Sequence, residues 1–248
     1  MSGRSVVVRG RGSTSDAVVD ALADRDDVSV TRVDAGESGR GADVGDADLV
    51  FAAGEAALLG LASSPTDRPV VPVETGAGRY DLSAADVTAV VDAVEAGAFE
   101  TVRHPILGVS VAGERAGTAV TDVTLMTSAP ARISEYGIES PDGWAERVRS
   151  DGVVVASPLG SAGYARAVGG PLLAPGTGLV TAPVSPYAMH ADTWVVRPPV
   201  TLAVERDEAE VTLRLDDAVV ESVPSNAPVE VRIARDLSLV RPQTVGDR

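Results

Sequence analysis

The chain has 248 residues, 44% of them hydrophobic, and a formal net charge of −15, with 36 acidic residues against 21 basic ones, all arginine. Without lysine there is no lysine-dependent phosphate loop or Schiff-base lysine, and without cysteine no thiol nucleophile, disulfide or cysteine-bound zinc; the two histidines, His104 and His190, stand far apart in the sequence. The acidic balance disfavours nucleic acid as a partner, and no apolar run or leader-like N-terminus points to a membrane, so a soluble cytoplasmic protein is expected. An acidic, lysine-free surface suggests a halophile, since concentrated salt screens its self-repulsion; a GC-rich genome also favours arginine over lysine but does not by itself give a charge of −15.

The first hundred residues alternate strand and helix signals. Ser5 to Val8 reads as a strand, and Ser13-Thr14-Ser15-Asp16 as an N-cap ahead of a helix over Ala17 to Ala23. Val28 to Val33 and Asp48 to Ala52 follow as strands, then an Ala/Leu helix from Glu55 to Ala62 and a strand over Arg68 to Val73. Ser83 to Asp86 opens a helix whose Val87, Val90, Val91 and Val94 keep helical spacing. Such alternation predicts a small parallel sheet with ligands at the carboxyl ends of its strands.

From residue 101 the pattern turns to β. Leu107 to Val111, Ala116 to Met126, Arg132 to Ile138, Val153 to Ala156, Val195 to Val196, Val200 to Glu205, Glu210 to Leu215 and Val229 to Ala234 read as strands, with turns such as Asp216-Asp217 between them. The expected organisation is an α/β domain over 1–100 and a β-rich layered domain over 101–248.

The most specific segment runs Asp151-Gly152, then Val153 to Ala156, then Ser157-Pro158-Leu159-Gly160-Ser161-Ala162-Gly163-Tyr164, and on to Gly169-Gly170-Pro171. A β-branched run stops in a loop of small residues, where glycine admits a ligand close to the backbone and successive N–H groups favour an anion. The segment resembles the D-G-x-x-x-[ST]-T-P-T-G-S-T-A-Y…G-G-P block of the NAD kinases. Ser157, Gly160, Ser161 and Tyr164 match it directly, while Ala162 stands for a Thr and Gly163 for an Ala. Asp151 heads an apolar strand, where a carboxylate is costly unless it binds something. The resemblance gives it a dinucleotide contact, and Tyr164 either stacks on a ring or fills an interface.

Further positions fall in the family's order. Ala53-Gly54-Glu55-Ala56-Ala57 stands where the family has G-G-D-G-T, so Gly54, Ala56 and Ala57 form the phosphate-donor loop in a degraded state. Glu55 is either the general base for the reacting hydroxyl or a first-turn helix carboxylate. Thr121-Asp122 takes the place of the family's N-E pair, with shorter side chains. Arg132 and Arg149 match basic positions and serve either phosphate contact or surface ion pairing. Asp216 matches the Asp of a late D-G-Q turn. Glu74-Thr75-Gly76 stands at the family's N-x-G. His190 and Asp192 near Ser185 form no hydrolase triad, because no G-x-S-x-G elbow accompanies them.

The resemblance implies an α/β N-terminal domain with a small parallel sheet, a β-rich C-terminal domain whose last segment returns to the first, and an active site in the crevice between them. It implies NAD or NADP as ligand, ATP or polyphosphate with Mg²⁺ as donor, a homo-oligomeric state, and no nucleic acid or membrane partner. Transfer of phosphate to the 2′-hydroxyl of NAD is the first reading. A lapsed nucleotide-binding protein of the same family is the second, and a lipid-kinase-like phosphotransferase the third, which the acidic, non-amphipathic surface disfavours.

Overall fold

The computed structural model describes residues 4–34, 46–64, 66–129, 132–189, 191–207 and 209–242. The chain divides into two units: the described residues up to Arg103 together with the segment from Leu237, and the residues His104–Asp236. The divisions fall within two long strands, β5 and β16, defined below.

The first unit is built from β1 (Arg4–Gly10), α1 (Ser13–Leu22), β2 (Val28–Val33), β3 (Leu49–Ala53), α2 (Glu55–Leu59), β4 (Val70–Val73) and α3 (Val87–Glu95). The strands are parallel in the order β2-β1-β3-β4, and the closing segment adds Leu239 beside Val70. Val6, Val8 and Phe51 pack against Val18 and Leu22 of α1 and the helical stripe Val87, Val90, Val91 and Val94 of α3. At about 25 cal/mol per Å² of apolar surface, each such side chain contributes about 1.5–3 kcal/mol. The expected N-cap is corrected: α1 starts at Ser13 on the backbone of Gly12, with no side-chain cap, and the Ser/Thr run lies inside the helix. The start of α3 is as its sequence suggests, since Ser83 and Asp86 form a reciprocal capping box.

The second unit contains most of β5 (Phe99–Val111), then β6 (Glu114–Ala119), β7 (Asp122–Thr127), β8 (Ser134–Glu139), β9 (Ala145–Ser150), β10 (Gly152–Ala156), α4 (Tyr164–Ala167), β11 (Leu179–Val184), β12 (Trp194–Val196), β13 (Val200–Arg206), β14 (Val211–Leu215), β15 (Ala218–Ser222) and the first half of β16 (Val229–Pro242). One antiparallel sheet runs β12-β11-β10-β7-β14-β15. A second layer joins β9, β8, β13 and the Val229–Val231 end of β16, with β5 and β6 alongside. Val153, Val155, Leu125 and Leu213 from the first layer meet Tyr136, Ile138, Leu202 and Val231 from the second in one core. On its other face β10 packs Val154 and Ala156 against Ala165 of α4. Burial on both faces explains why β10 is apolar throughout.

Two expectations change here. The single strand Ala116 to Met126 is broken at Val120-Thr121 into β6 and β7, for a reason that lies ninety residues away, described below. Three strands carry no readable pattern: β15 is exposed along its whole length, β9 buries only its last residue, and β11 is buried at every position and holds a proline.

Candidate functional site

In the second unit the site grows from the break between β6 and β7. The hairpin turn joining β14 to β15 places Asp216 at φ 53, and the Asp216 N–H donates to the Asp122 carbonyl at 2.9 Å. Its carboxylate then accepts the N–H groups of Val120 at 2.9 Å, Thr121 at 2.7 Å and Asp122 at 3.2 Å, and the Thr121 hydroxyl at 2.6 Å. Backbone groups that would otherwise continue a strand ladder are satisfied by one carboxylate, so the strand stops. Asp216 therefore grips the Thr121-Asp122 turn, and the Thr121 hydroxyl is spent on that grip.

The glycine-serine loop is built on the same turn. The Ser157 N–H donates to the Thr121 carbonyl and its hydroxyl to the Val120 carbonyl, each at 2.8 Å. The same hydroxyl accepts the Gly160 N–H at 3.1 Å. A Cβ on Gly160 would run into the Thr121 carbonyl, so only glycine permits this approach. The Ser161 hydroxyl donates to the Pro158 carbonyl at 2.7 Å and accepts the Leu173 N–H at 2.9 Å. Both serines are buried. They shape the loop, and the exposed face is left to Ala162, Gly163 and Tyr164.

The Asp122 and Asp216 carboxylates stand together at this turn, and the Tyr164 phenol feels the field of Asp122. Asp122 is 9% exposed, with the Thr124 hydroxyl donating to it at 3.1 Å. Its pKa is pushed up to about 6, first by burial and then by the negative charge of Asp216, against the opposing hydrogen bonds of Thr124 and Thr121 and the charge of Arg214. The Tyr164 phenol is also raised, by burial and then by the fields of Asp122 and Asp151, with Arg214 opposing. Asp151 sits half-buried in the bend before β10, its backbone held by Thr127, Tyr136 and Val184. The turn and the loop thus come together at the carboxyl end of β10, whereas Asp151 stands at the opposite end of that strand, where its neighbour Gly152 pairs with Met126. Arg149 lies apart on edge strand β9 with its guanidinium 5.6 Å from the Tyr187 ring centre. Arg132 is exposed, its N–H directed to the Ala129 carbonyl at 3.4 Å.

In the first unit, Gly54 (φ 85) caps α2 with its backbone, and the Ala57 N–H returns to the Gly54 carbonyl at 3.1 Å. The loop closes as a helical first turn. Ala56 therefore has ordinary helical geometry, and no positive φ is asked of it. Glu55 is exposed in that first turn, where a carboxylate complements the helix dipole. Ala57 is buried, 1% exposed. Thr75 and Gly76 are organised by Asp81, whose carboxylate accepts both N–H groups at 2.8 and 2.9 Å.

Sequence reasoning passed over one loop. Arg9-Gly10-Arg11-Gly12 joins β1 to α1, and Gly10 pairs directly with Ala53 at the head of the Gly54 loop. A strand followed by Gly-x-Gly and hydroxyl residues was the available signal. His190 lies outside the described residues. Among those described, no group of three acidic or imidazole side chains could hold a metal, and no helix is long and apolar enough to cross a membrane.

Residues 120–236 match the family described as the ATP-NAD kinase C-terminal domain. That stretch begins at the gripped turn and ends where the second unit ends. The chain is similar to the NAD kinases. An NAD kinase of Methanosarcina acetivorans is 29% identical over 169 residues, covering 67% of this chain and 58% of that protein. A yeast NADH kinase complexed with NADH matches with a TM-score of 0.78 at 15% identity, covering 98% of this chain and 85% of the other. An NAD kinase from Archaeoglobus fulgidus in complex with ATP matches at 0.72 and 20% identity, covering 98% and 94%. The fold is the one these kinases share. The chain spans between 49% and 60% of the length of the first four curated relatives it matches.

Proposed function

We propose that this chain is an NAD kinase, transferring the terminal phosphate of ATP or polyphosphate to the 2′-hydroxyl on the adenosine side of NAD. The observation that carries the reading is the Asp216-held turn with the Ser157–Gly160 loop seated on it, inside the stretch that matches the kinase C-terminal domain. Asp122, ionised above about pH 6, offers an acceptor for ribose hydroxyls or an adenine amino group, and Asp151 offers a second. Ala162 and Gly163 are exposed and carry no bulky side chain, and Tyr164, 40% exposed, presents an aromatic face. The relatives solved with NADH and with ATP support these two ligand classes. Mg²⁺ enters as part of the donor substrate, neutralising its phosphates.

For the transfer, the 2′-oxygen forms the new O–P bond as the bond to the leaving phosphate breaks, and Glu55 takes the hydroxyl proton. Because Ala56 and Ala57 provide neither glycine nor hydroxyl, donor-side stabilisation from this loop is reduced, and one lost donor typically costs two to three orders of magnitude in rate. A second reading, a nucleotide-binding protein without turnover, rests on that observation alone, and the kinase relatives do not favour it. The charge of −15 without lysine supports a role in concentrated salt. Isothermal titration with NAD and NADP, followed by a coupled assay for NADP formation from NAD and MgATP, tests the proposal. Dinucleotide binding with NADP formation is expected, and absence of NAD binding refutes it.

A further inference from the structure

The segment from Arg9 to Ser15 has buried hydrogen-bond donors with no acceptor among the described residues. Arg9 is 2% exposed, and of its guanidinium only Nη2 has a partner, the Gly60 carbonyl at 3.3 Å; Nε and Nη1 are buried without one. Ser15 is fully buried and its hydroxyl is likewise unpartnered. Ser15 is the third residue of α1, and helical Cα–Cβ bonds tilt toward the N-terminus, which aims its hydroxyl at the start of that helix. There the first-turn N–H groups have no intrahelical acceptor, and no side chain caps them. Each orphan is a donor. A buried guanidinium is costly without an anion, and a buried hydroxyl without an acceptor adds to that cost.

The backbone of the loop is shaped for close approach. Gly10 and Gly12 have φ of 152 and 76, and a Cβ on Gly10 would run into the Ala53 carbonyl. The loop therefore lies against the head of the Gly54–Ala57 segment, at the carboxyl ends of adjacent parallel strands. Two of its other polar side chains are engaged: the Thr14 hydroxyl donates to Glu74 at 2.9 Å, and Arg11 pairs with Asp34 at 3.3 Å in the open, while Ser13 is exposed.

We propose that the Arg9–Ser15 loop binds the phosphate chain of the phosphoryl donor, in place of the glycine and hydroxyl contacts that Ala56 and Ala57 do not supply. The inference rests on the kinase reading for the identity of the ligand, and the shared chemistry is a polyphosphate, free or carried by a nucleotide. Phosphate oxygens supply the acceptors that Arg9, Ser15 and the first turn of α1 lack.

The test is titration calorimetry of the parent, Arg9→Met and Ser15→Ala with MgATP, inorganic tripolyphosphate and NAD, with an unfolding curve for each protein. In Arg9→Met the affinity for MgATP should fall roughly ten- to a hundredfold, and in Ser15→Ala by roughly three- to tenfold, as expected for lost charged and neutral hydrogen bonds. NAD affinity should stay within about twofold, and Ser15→Ala should unfold no earlier than the parent, because its hydroxyl has no partner to lose. Parallel losses for tripolyphosphate identify the phosphate chain as the ligand. Losses confined to MgATP identify the nucleotide as its carrier. Should Arg9→Met not fold, Ser15→Ala and Gly12→Ala carry the comparison, the latter straining a φ that L side chains avoid. Unchanged donor affinity in the variants overturns the proposal, as does a parent that binds NAD but neither donor. A parent that binds donors but not NAD, with losses in the variants, upholds the loop and refutes the kinase reading.

Discussion

Replacing Asp216 with alanine removes the acceptor of three backbone N–H groups and one hydroxyl. Hydrogen bonds to a charged group are worth about 1.5–3 kcal/mol each when buried, but Asp216 is only half-buried and water can replace part of what is lost. A net destabilisation of about 2–4 kcal/mol is expected. The loss depends on pH, through Asp122. Its folded pKa is raised from the ordinary carboxylate value of 3.8 to about 6, so the folded protein binds the extra proton. The cost of ionising it is absent below the unfolded value, grows as pH rises through that window, and is fully present above about 6, where it amounts to about 3 kcal/mol. Asp216 supplies only the second-largest part of the shift, after burial. Its removal should therefore relieve up to about 1 kcal/mol of this cost at neutral pH and much less at pH 5. Urea unfolding of Asp216→Ala and the parent at pH 5 and pH 7.5 reads both effects: a large loss at each pH, smaller at 7.5. A loss below about 0.5 kcal/mol, or one larger at pH 7.5 than at pH 5, refutes the gripped-turn argument. NAD affinity should fall in the same variant, because the turn also seats the Ser157–Gly160 loop.

Asp122→Asn should be more stable than the parent at pH 7.5 and lose that advantage as the pH is lowered toward 4, while binding NAD more weakly; equal stability at all pH values would mean that Asp122 is not strained by burial. Gly160→Ala should cost more than about 3 kcal/mol or prevent folding, since the obstacle is a carbonyl of the backbone and not a movable side chain; a thermal melt within a few degrees of the parent would contradict this. Ala57→Thr restores a hydroxyl but places it at a site 1% exposed, so overpacking of about 1–3 kcal/mol is expected by urea unfolding, whereas exposed Ala56→Gly should cost about 1 kcal/mol or less.

The elements that follow from local chemistry were legible in the sequence. β10 is a continuous β-branched run because both its faces are covered, and the glycines after it mark a close approach that the structure locates at Gly160 and Thr121. The stripe on α3 and its Ser83–Asp86 box are readable because every interaction lies within a turn or two. The break at Val120-Thr121 was not legible: Ala119, Val120 and Thr121 all suit a strand, and what stops them is a carboxylate 94 to 96 positions further on. The use of Ser157 and Ser161 was hidden as well, for Ser157 by a partner 37 positions back and for Ser161 by the fold of its own loop. Their hydroxyls match a binding motif by type, yet they are turned inward to carbonyls of the turn and of the loop itself. A motif of this kind records which residues let a loop take its shape as well as which of them touch a ligand. The groups proposed to meet a ligand are ones whose hydrogen bonding is not already spent by the fold: the Asp122 carboxylate, the exposed edge from Ala162 to Tyr164, and in the first unit the donors of Arg9 and Ser15, unpartnered among the described residues. The resemblance to the kinases lies in the Asp151 to Tyr164 segment, whereas the phosphate binding proposed for the first unit lies one strand over from the Gly54 loop, at the end of β1 beside the end of β3.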